Sequence, residues 1–551
     1  MLTPAGFQVG GGWEITHRHA GPQDRAYFGS IFAGVGDVDQ DGCADYAVTG
    51  VKAPPDYPDL GLLVFSGRTS APLYSLVGTG GLNVGSALAS AGDLNQDGVP
   101  DILVGGSSAS PGGVHRAGAV FVFSGVDGSV LLEIDGTITY EQFGGAVAGG
   151  GDVNGDGVPD LVVGTPYEGN SSNFNGDCRV FSGADGSLLY RYDGTTPFSG
   201  FSQNVAILGD WDADGCAEFA YSYATFDPGG MPDAGAIFVH SGATGALLHL
   251  FVGESQRDRF GYSFAAAGDV DADGIGDVIV GAPYTQVNGS VGAGTAYVYS
   301  GRTRLEMLRV NGRGYEELLG LSVASAGNQD GDGHADLLVG VPYANSAWHT
   351  DSGSALVISG RTGVLLHRID GEDHQVEIGS GVGLAGDLDG DGTDHFFVWA
   401  PGADAAGFVD SGELRIFALE PFLALSAGFL SASAGGSVLL DLDFPDDAGG
   451  GLYQILVSGT GTGPTRRFGL DVPLTPDAWF SQSLDGQYPA YAVGFRGVLS
   501  TEGQSGALLS AAPGQIPSAL AGRTLWLAAV ARDLSGAGTY SSMARSILLL
   551  P

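Results

Sequence analysis

The chain has 551 residues, of which 62 are acidic and 22 are basic, and its formal charge at neutral pH is −40. Nucleic acid and anionic membrane surfaces are also negatively charged, so both are excluded as partners by charge. Gly is abundant, with 96 residues, yet 43% of the residues are hydrophobic and occur at strand spacing. This composition excludes a disordered Gly-rich chain.

The N-terminal residues predict a strand, and no leader peptide is visible in them, so either a leader was trimmed or the chain starts downstream of it. Residues 1–12 lack the basic segment and the apolar core of a secretory signal. The next segment, Trp13-Glu-Ile-Thr-His17, resembles a segment that comes first in each of the later repeats. In a closed ring of repeats it would form the outermost strand of the last repeat.

A nine-residue pattern then recurs seven times, starting at residues 37, 93, 152, 210, 269, 328 and 387. Positions 1, 3, 5 and 9 carry side-chain oxygen atoms in nearly every copy, and position 6 is always Gly. Several carboxylates within nine residues repel one another unless a cation lies between them, and oxygen-only ligands suit calcium. We name these segments metal loops one to seven and predict up to seven bound calcium ions.

The predicted ligands of the metal loops are the side chains at these positions. In loops one to four they are Asp37, Asp39, Asp41, Asp45; Asp93, Asn95, Asp97, Asp101; Asp152, Asn154, Asp156, Asp160; and Asp210, Asp212, Asp214, Glu218. In loops five to seven they are Asp269, Asp271, Asp273, Asp277; Asn328, Asp330, Asp332, Asp336; and Asp387, Asp389, Asp391. Loop seven departs from the pattern, because His395 occupies its ninth position.

These loops are not EF-hands, which need a Glu at position 12 and flanking helices. Apolar, β-branched residues follow each loop, as in Asp160-Leu-Val-Val-Gly164, and predict a buried strand. We therefore expect the ninth residue to lie on that strand and to replace the missing Glu. The alternative is that each acidic Gly segment is only a hairpin turn.

Each repeat contains four apolar segments of strand length, separated by turn residues. In one repeat they are Leu247–Phe251, Tyr262–Ala267, Asp277–Val280 and Ala296–Tyr299. Four antiparallel strands repeated seven times predict an all-β, seven-bladed β-propeller over residues 1–419. Closing the ring with the first strand removes the exposed sheet edges that favour aggregation.

Two short motifs recur in the repeats: the pairs Phe28-Gly29, Phe143-Gly144 and Phe260-Gly261, and the element Gly281-Ala-Pro283 with its variants. Through these motifs the chain, over roughly residues 12–419, resembles the FG-GAP propeller at the head of integrin α subunits. The resemblance implies calcium in the loops of one propeller face and partner proteins on the opposite face. It does not imply pairing with a β subunit, and the sequence assigns no oligomeric state.

Residues 420–551 lack the repeat and contain strand-like runs between Gly, Pro and Ser clusters. They predict a small β-sandwich, and the sequence does not decide among sorting, anchoring and spacing as its role. The final apolar run, Ser546–Leu550, is far too short to span a membrane. Weak calcium loops fill without regulation only where calcium is about millimolar, which favours an extracellular or cell-surface location.

The function that these patterns predict is calcium-dependent adhesion or recognition of a protein or glycan partner. The candidate contact residues lie in loops opposite the metal loops: Tyr57, His115, Arg116, Tyr167, Tyr284, Tyr343 and Trp348. Tyr and Arg are common in binding hot spots, although the three later Tyr residues could equally pack under their own turns.

Two other functions stay open. One is a secreted polysaccharide-active lyase or hydrolase, and the other is a purely structural surface scaffold. No Gly-x-Ser-x-Gly or His-Glu-x-x-His motif occurs, so no catalytic residue is assigned and the chain is not predicted to be an enzyme.

Overall fold

The computed structural model describes most of the first 420 residues and the strands that follow them. The described residues are 12–21, 28–49, 62–78, 84–166, 175–195, 200–346 and 349–420. Beyond these they are 423–425, 429–431, 436–443, 452–458, 464–467, 470–473, 478–484, 492–493, 495–498, 504–511, 523–532, 538–541 and 545–550. Tyr57, Tyr167 and Trp348 lie outside the described residues.

The first part of the chain is a seven-bladed β-propeller, as predicted, and each blade is a four-stranded antiparallel sheet. From the innermost strand outward, blades one to three are Phe32–Gly36, Asp45–Thr49, Leu62–Phe65, Pro72–Leu76; Ala87–Gly92, Asp101–Gly106, Ala119–Phe123, Val130–Asp135; and Ala146–Gly151, Asp160–Thr165, Asp177–Phe181, Leu188–Asp193. Blades four to six are Phe201–Gly209, Glu218–Tyr223, Ala236–His240, Leu247–Val252; Ser263–Gly268, Asp277–Ala282, Thr295–Tyr299, Glu306–Asn311; and Val323–Gly327, Asp336–Val341, Ser354–Ile358, Leu365–Asp370.

Blade seven joins the two ends of the propeller. Its strands are Gly381–Gly386, His395–Ala400, Glu413–Glu420 and, outermost, Gly12–Ala20. The Thr16 hydroxyl donates a hydrogen bond to the Ile416 carbonyl at 3.3 Å. The N-terminal segment therefore closes the ring as the sequence predicted, and the sequence repeat is offset from the blade by one strand.

Burial within a blade follows the sequence pattern. All six residues of Asp160–Thr165 are buried, as expected for a central strand with a continuous apolar run. The outermost strand Val130–Asp135 alternates between half-buried and exposed residues, because one of its faces meets solvent.

The core lies between neighbouring blades. One cluster combines Leu103 and Val120 of blade two with Leu161 and Val163 of blade three, and Phe143 between them is also fully buried. The Phe of each Phe-Gly pair therefore acts as a wedge between blades. Its burial explains why the motif precedes the innermost strand.

The chain divides into two compact units, one of residues 15–327 and 335–417 and the other of residues 1–14, 328–334 and 418–551. In the described residues after 420, one sheet contains Leu423–Leu425, Gly436–Asp443, Gln504–Ala511 and Ala492–Val493. A second contains Phe429–Ser431, Arg545–Leu550, Thr524–Arg532, Leu452–Ser458, Arg496–Val498 and Gly538–Ser541. A hairpin, Pro464–Arg467 with Leu470–Pro473, and a helix, Ala478–Leu484, complete this part. The β-sandwich and the boundary at residue 420 stay predictions.

Candidate functional site: the metal loops and the opposite face

Each metal loop joins the innermost strand of a blade to the second strand, and its side chains fold back onto its own backbone. In loop one, Asp37 accepts the amides of Asp41 at 3.0 Å and Gly42 at 2.9 Å. Asp41 accepts the amide of Cys43 at 2.9 Å. Loops two, three, four, five and seven repeat this arrangement. The loops are thus preshaped turns whose first, third and fifth side chains converge.

The Gly at position 6 is required by its backbone conformation and not by lack of space. Its φ is +87° in loops two, three and five, and nothing lies within 4 Å of a Cβ placed with ideal geometry on Gly98, Gly157 or Gly274. Left-handed backbone costs other residues roughly 1–2 kcal/mol. The invariant Gly therefore sets the turn that points the carboxylates to one side.

The ninth carboxylate begins the second strand, where the sequence placed it, and is fully buried. Asp45 accepts the amide of Val38 at 2.8 Å through Oδ2 and that of Gly67 at 2.8 Å through Oδ1. Burial raises the pKa of Asp45 to about 6, against the lowering effect of these hydrogen bonds. The ninth residue thus ties the metal loop to the turn between the third and fourth strands.

Loop four differs, because its ninth residue is Glu218. One Glu218 oxygen, Oε2, accepts the amide of Trp211, but Oε1 is buried without a hydrogen-bond partner. Ligand atoms of Asp210, Asp212, Asp214 and Glu218 all lie within 4.8 Å of one another. Burial, followed by the charges of the three Asp residues, raises the pKa of Glu218 to about 7. A buried, unpartnered oxygen facing three carboxylates is what a hard cation would satisfy, so the residues present fit a metal ion.

Three other groups in the described residues bring ligand atoms within 4.8 Å. They are Asp37, Asp39 and Asp41; Asp269, Asp271 and Asp273; and Asp387, Asp389 and His395. In loops two and three the third position is Asn, and its amide donates to the fifth carboxylate at 2.8 Å for Asn95 and 2.9 Å for Asn154. In loop six, Asp332 accepts the amide of His334 at 3.0 Å.

His395 is a residue that sequence reasoning left out of the metal set. It is buried, and its Nδ1 accepts the amide of Leu388 at 3.4 Å, the contact that Asp makes in loops one, two, three and five. Its position nine places after Asp387 was the available signal. Sequence alone could not show that the imidazole faces Asp387 and Asp389.

Three pairs of neighbouring metal loops are joined by a backbone hydrogen bond. The amide of Ala44 donates to the Asp387 carbonyl at 2.8 Å, and that of Ala217 donates to the Asp152 carbonyl at 2.7 Å. The amide of Ala335 makes the same bond to Asp269 at 2.9 Å. In each case position 8 of one loop bonds position 1 of the loop before it, so ordering one loop supports the next.

The opposite face is built from two kinds of loop, those between the second and third strands and those that lead to the next blade. The amides of Tyr140, Gln142 and Phe143 donate to the carbonyls of His115, Arg116 and Ala117 at 2.9, 3.1 and 3.0 Å. The same triple of bonds recurs at the next three described positions: Arg257–Pro232, Arg259–Asp233, Phe260–Ala234; Glu316–Val291, Leu318–Gly292, Leu319–Ala293; and Gln375–Thr350, Glu377–Asp351, Ile378–Ser352. A fixed backbone with different side chains at equivalent positions is suited to specific contacts.

Four of the predicted contact residues are described on this face. His115 and Arg116 are exposed, and the His115 ring meets the edge of Tyr140 at 4.9 Å between centroids. Tyr284 and Tyr343 are half-buried and line the same cleft, of about 700 Å³, between loops of blades four, five and six. The structure therefore brings Tyr284 and Tyr343 together in one cleft, whereas His115 and Arg116 do not line it.

The comparisons with known proteins agree with this architecture. The FG-GAP repeat model matches residues 84–123, 143–177 and 260–299, which lie in blades two, three and five. Integrin alpha-V of Gallus gallus is 29% identical over 235 residues, 40% of this chain and 21% of the relative. Integrin alpha-4 of Xenopus laevis is 31% identical over 184 residues, 30% of this chain and 17% of the relative.

A third relative, integrin alpha pat-2 of Caenorhabditis briggsae, is 29% identical over 245 residues, 40% of this chain and 19% of its own length. The chain thus spans about a fifth of the length of these curated relatives. Within the described part of the chain, no helix is both long and apolar enough to cross a bilayer.

Proposed function

Because this chain carries FG-GAP repeats on an integrin alpha-like propeller, we propose that it is a calcium-dependent extracellular module for adhesion or recognition. Calcium would occupy the metal loops, held by the side chains at positions 1, 3, 5 and 9. When bound, the ion supplies positive charge that offsets the repulsion among these carboxylates. The partner, a protein or a glycan, binds the opposite face, and residues 420–551 form a separate domain that carries or positions the propeller.

The observation that carries this proposal is the difference between the two ends of those blades whose loops the structure describes at both ends. One end repeats a single loop with convergent carboxylates, such as Asp210 and Glu218 in loop four. The other end keeps its backbone bonds but varies its side chains, for example Arg116, Asp233 and Gly292 at one equivalent position. Repetition suits a shared structural ion, whereas variation on a fixed frame suits recognition of one partner.

A calorimetric calcium titration of chelator-stripped protein, with thermal melts alongside, tests the metal role. We expect several weak sites and a large rise in melting temperature, because ligands that bind only the folded state stabilise it. Absence of a thermal shift would mean that the loops are only turns.

Binding to arrays of extracellular proteins and of glycans, with and without calcium, tests recognition. The double variant Arg116→Ala, Trp348→Ala should weaken capture without changing the melting temperature. Unchanged capture would remove these residues from the contact surface. Turnover of an acidic polysaccharide in the same samples would instead favour the enzyme alternative, and no saturable ligand would favour the scaffold.

A further inference from the structure

The cleft on the face opposite the metal loops has a wall that carries two arginines. Arg257 and Arg259 lie on the segment that connects blades four and five, and Tyr284 lies beside them on blade five. The Arg259 guanidinium is stacked over the Tyr284 ring, with its central carbon 4.9 Å from the ring centroid. This cation–π contact holds one of the two guanidinium groups at the cleft wall.

The backbone that presents these arginines is fixed. The Arg257 amide donates to the Pro232 carbonyl at 2.8 Å, and the Arg259 amide donates to the Asp233 carbonyl at 3.1 Å. Both arginines adopt left-handed backbone, with φ of 66° and 50°. Conformations of this kind persist only where surrounding structure determines them, so little backbone ordering remains to be done when a ligand binds.

Neither arginine forms an ion pair within the described part of the chain. Among the residues that the structure describes, no carboxylate lies within ion-pair distance of Arg257 or Arg259, whereas Arg179, Arg309 and Arg415 are all paired. The chain has 62 acidic residues and 22 basic ones, so two neighbouring unpaired guanidinium groups in one cleft are uncommon here. Two adjacent guanidinium groups are suited to a carboxylate, which they bind through charge-assisted hydrogen bonds.

The other walls of the cleft limit what carries that carboxylate. Asp233, Glu316 and Asp351 line it together with Asn345 and Tyr343. These carboxylates repel a ligand with several negative charges but accept hydrogen bonds from hydroxyl groups. Tyrosine rings provide flat apolar surface with a polar tip. One anion, several hydroxyls and a flat apolar face occur together in an acidic sugar.

We propose that this cleft binds a glycan through a sugar residue that bears a single carboxylate. Arg257 and Arg259 bind the carboxylate, Tyr284 and Tyr343 contact the sugar ring, and the acidic and amide side chains accept and donate to hydroxyls. The volume of about 700 Å³ accommodates a short oligosaccharide. The proposal rests on the recognition role of this face and names the chemistry of its ligand.

The test uses the full chain in millimolar calcium and ligand-observed NMR with three probes. They are the methyl glycosides of glucuronic acid and of N-acetylneuraminic acid, and methyl glucoside as the neutral control. We expect the acidic sugars to bind and the neutral one to bind at least tenfold more weakly. Equal binding of the neutral sugar, or no binding of either acidic sugar, would overturn the proposal.

The matched variants are Arg257→Gln with Arg259→Gln, and Arg313→Gln as control. Arg313 is exposed on the segment that leads to blade six and does not line the cleft. The double variant should weaken binding of the acidic sugars at least tenfold, and the control variant less than twofold, with unchanged melting temperatures. Because the double variant removes two positive charges and the control removes one, an equal loss of affinity per charge removed would show that only long-range charge matters, and the site assignment would fail.

The two proposals fail in different ways. If the arrays capture a partner that Arg116→Ala, Trp348→Ala releases, but no acidic sugar binds, the recognition function stands and the cleft assignment is wrong. If a glutamate-rich peptide binds the cleft and no sugar does, the cleft is a peptide site. If neither arrays nor sugars give binding, both proposals fail together.

Discussion

Replacing Arg179 with Ala should destabilise the propeller by about 3–5 kcal/mol, because it would remove the ion pair of buried Glu141 and leave buried Asp177 with only the partly exposed Arg191. Arg179 Nη2 lies 2.5 Å from Glu141 Oε1 and 2.6 Å from Asp177 Oδ2. The side chain of Arg179 is 11% exposed, and those of both acids are fully buried. Its guanidinium also lies 5.1 Å from the centre of the Phe143 ring, between blades two and three.

The size of the effect follows from the desolvation of these groups. Burial raises the pKa of Asp177, although Arg179 and then Arg191 lower it. Removing Arg179 therefore removes the ion pair of buried Glu141 and leaves the charge on Asp177 offset by Arg191 alone, and a cation–π contact worth about 0.5–1 kcal/mol is lost as well. Urea unfolding in calcium, followed by tryptophan fluorescence, measures the change.

Two further variants distinguish the effect of an unpaired buried charge from a non-specific loss of stability. Arg191→Ala removes a side chain that is 38% exposed and 3.0 Å from the same Asp177. We expect it to cost less than about 1 kcal/mol. The triple variant Glu141→Gln, Asp177→Asn, Arg179→Met buries no charge and should recover most of the loss. A triple variant as unstable as Arg179→Ala, or a loss below about 1 kcal/mol for Arg179→Ala, would refute the reasoning.

Three other predictions concern the metal loops and pH. Glu218→Gln should reduce the rise in melting temperature that calcium gives, because it removes a ligand of the ion. It should not lower the melting temperature of the calcium-free protein, because it removes a buried charge. Equal calcium-induced rises for the variant and the wild type would contradict this. Burial lowers the pKa of His367 to about 4, so the unfolded chain takes up the proton first as pH falls below about 6.5. When the pH falls from 7 to 5, the free energy of unfolding measured with urea should decrease by up to about 2 kcal/mol more for the wild type than for His367→Gln. Equal decreases would exclude protonation of His367 as the cause. Gly157→Ala should lower the free energy of unfolding by about 1–2 kcal/mol, because the backbone at this residue has a φ of +87°. Gly157→Asn should lower it less, since Asn tolerates left-handed backbone. The melting temperature should therefore be highest for the wild type, lower for the Asn variant and lowest for the Ala variant.

The sequence by itself determined the number of blades, the closing strand and the shape of the metal loops. Each of these depends on residues close together in the chain or on a fixed repeat. Gly157 and its equivalents impose one turn, and the apolar run after Asp160 can only be a buried strand. The outer-strand character of residues 13–17 was visible because the same pattern recurs in every repeat.

Only the tertiary structure decided which side chains meet across blades. The cleft gathers Arg257, Tyr284 and Tyr343 from loops of three blades, and Arg179 meets Glu141 from 38 residues earlier. Glu218 has one methylene more than the Asp at this position in most of the other loops, and in the same buried setting one of its oxygens is left without a hydrogen-bond partner. These features arise from distances and burial between segments that the repeat pattern does not relate, so no local pattern could encode them.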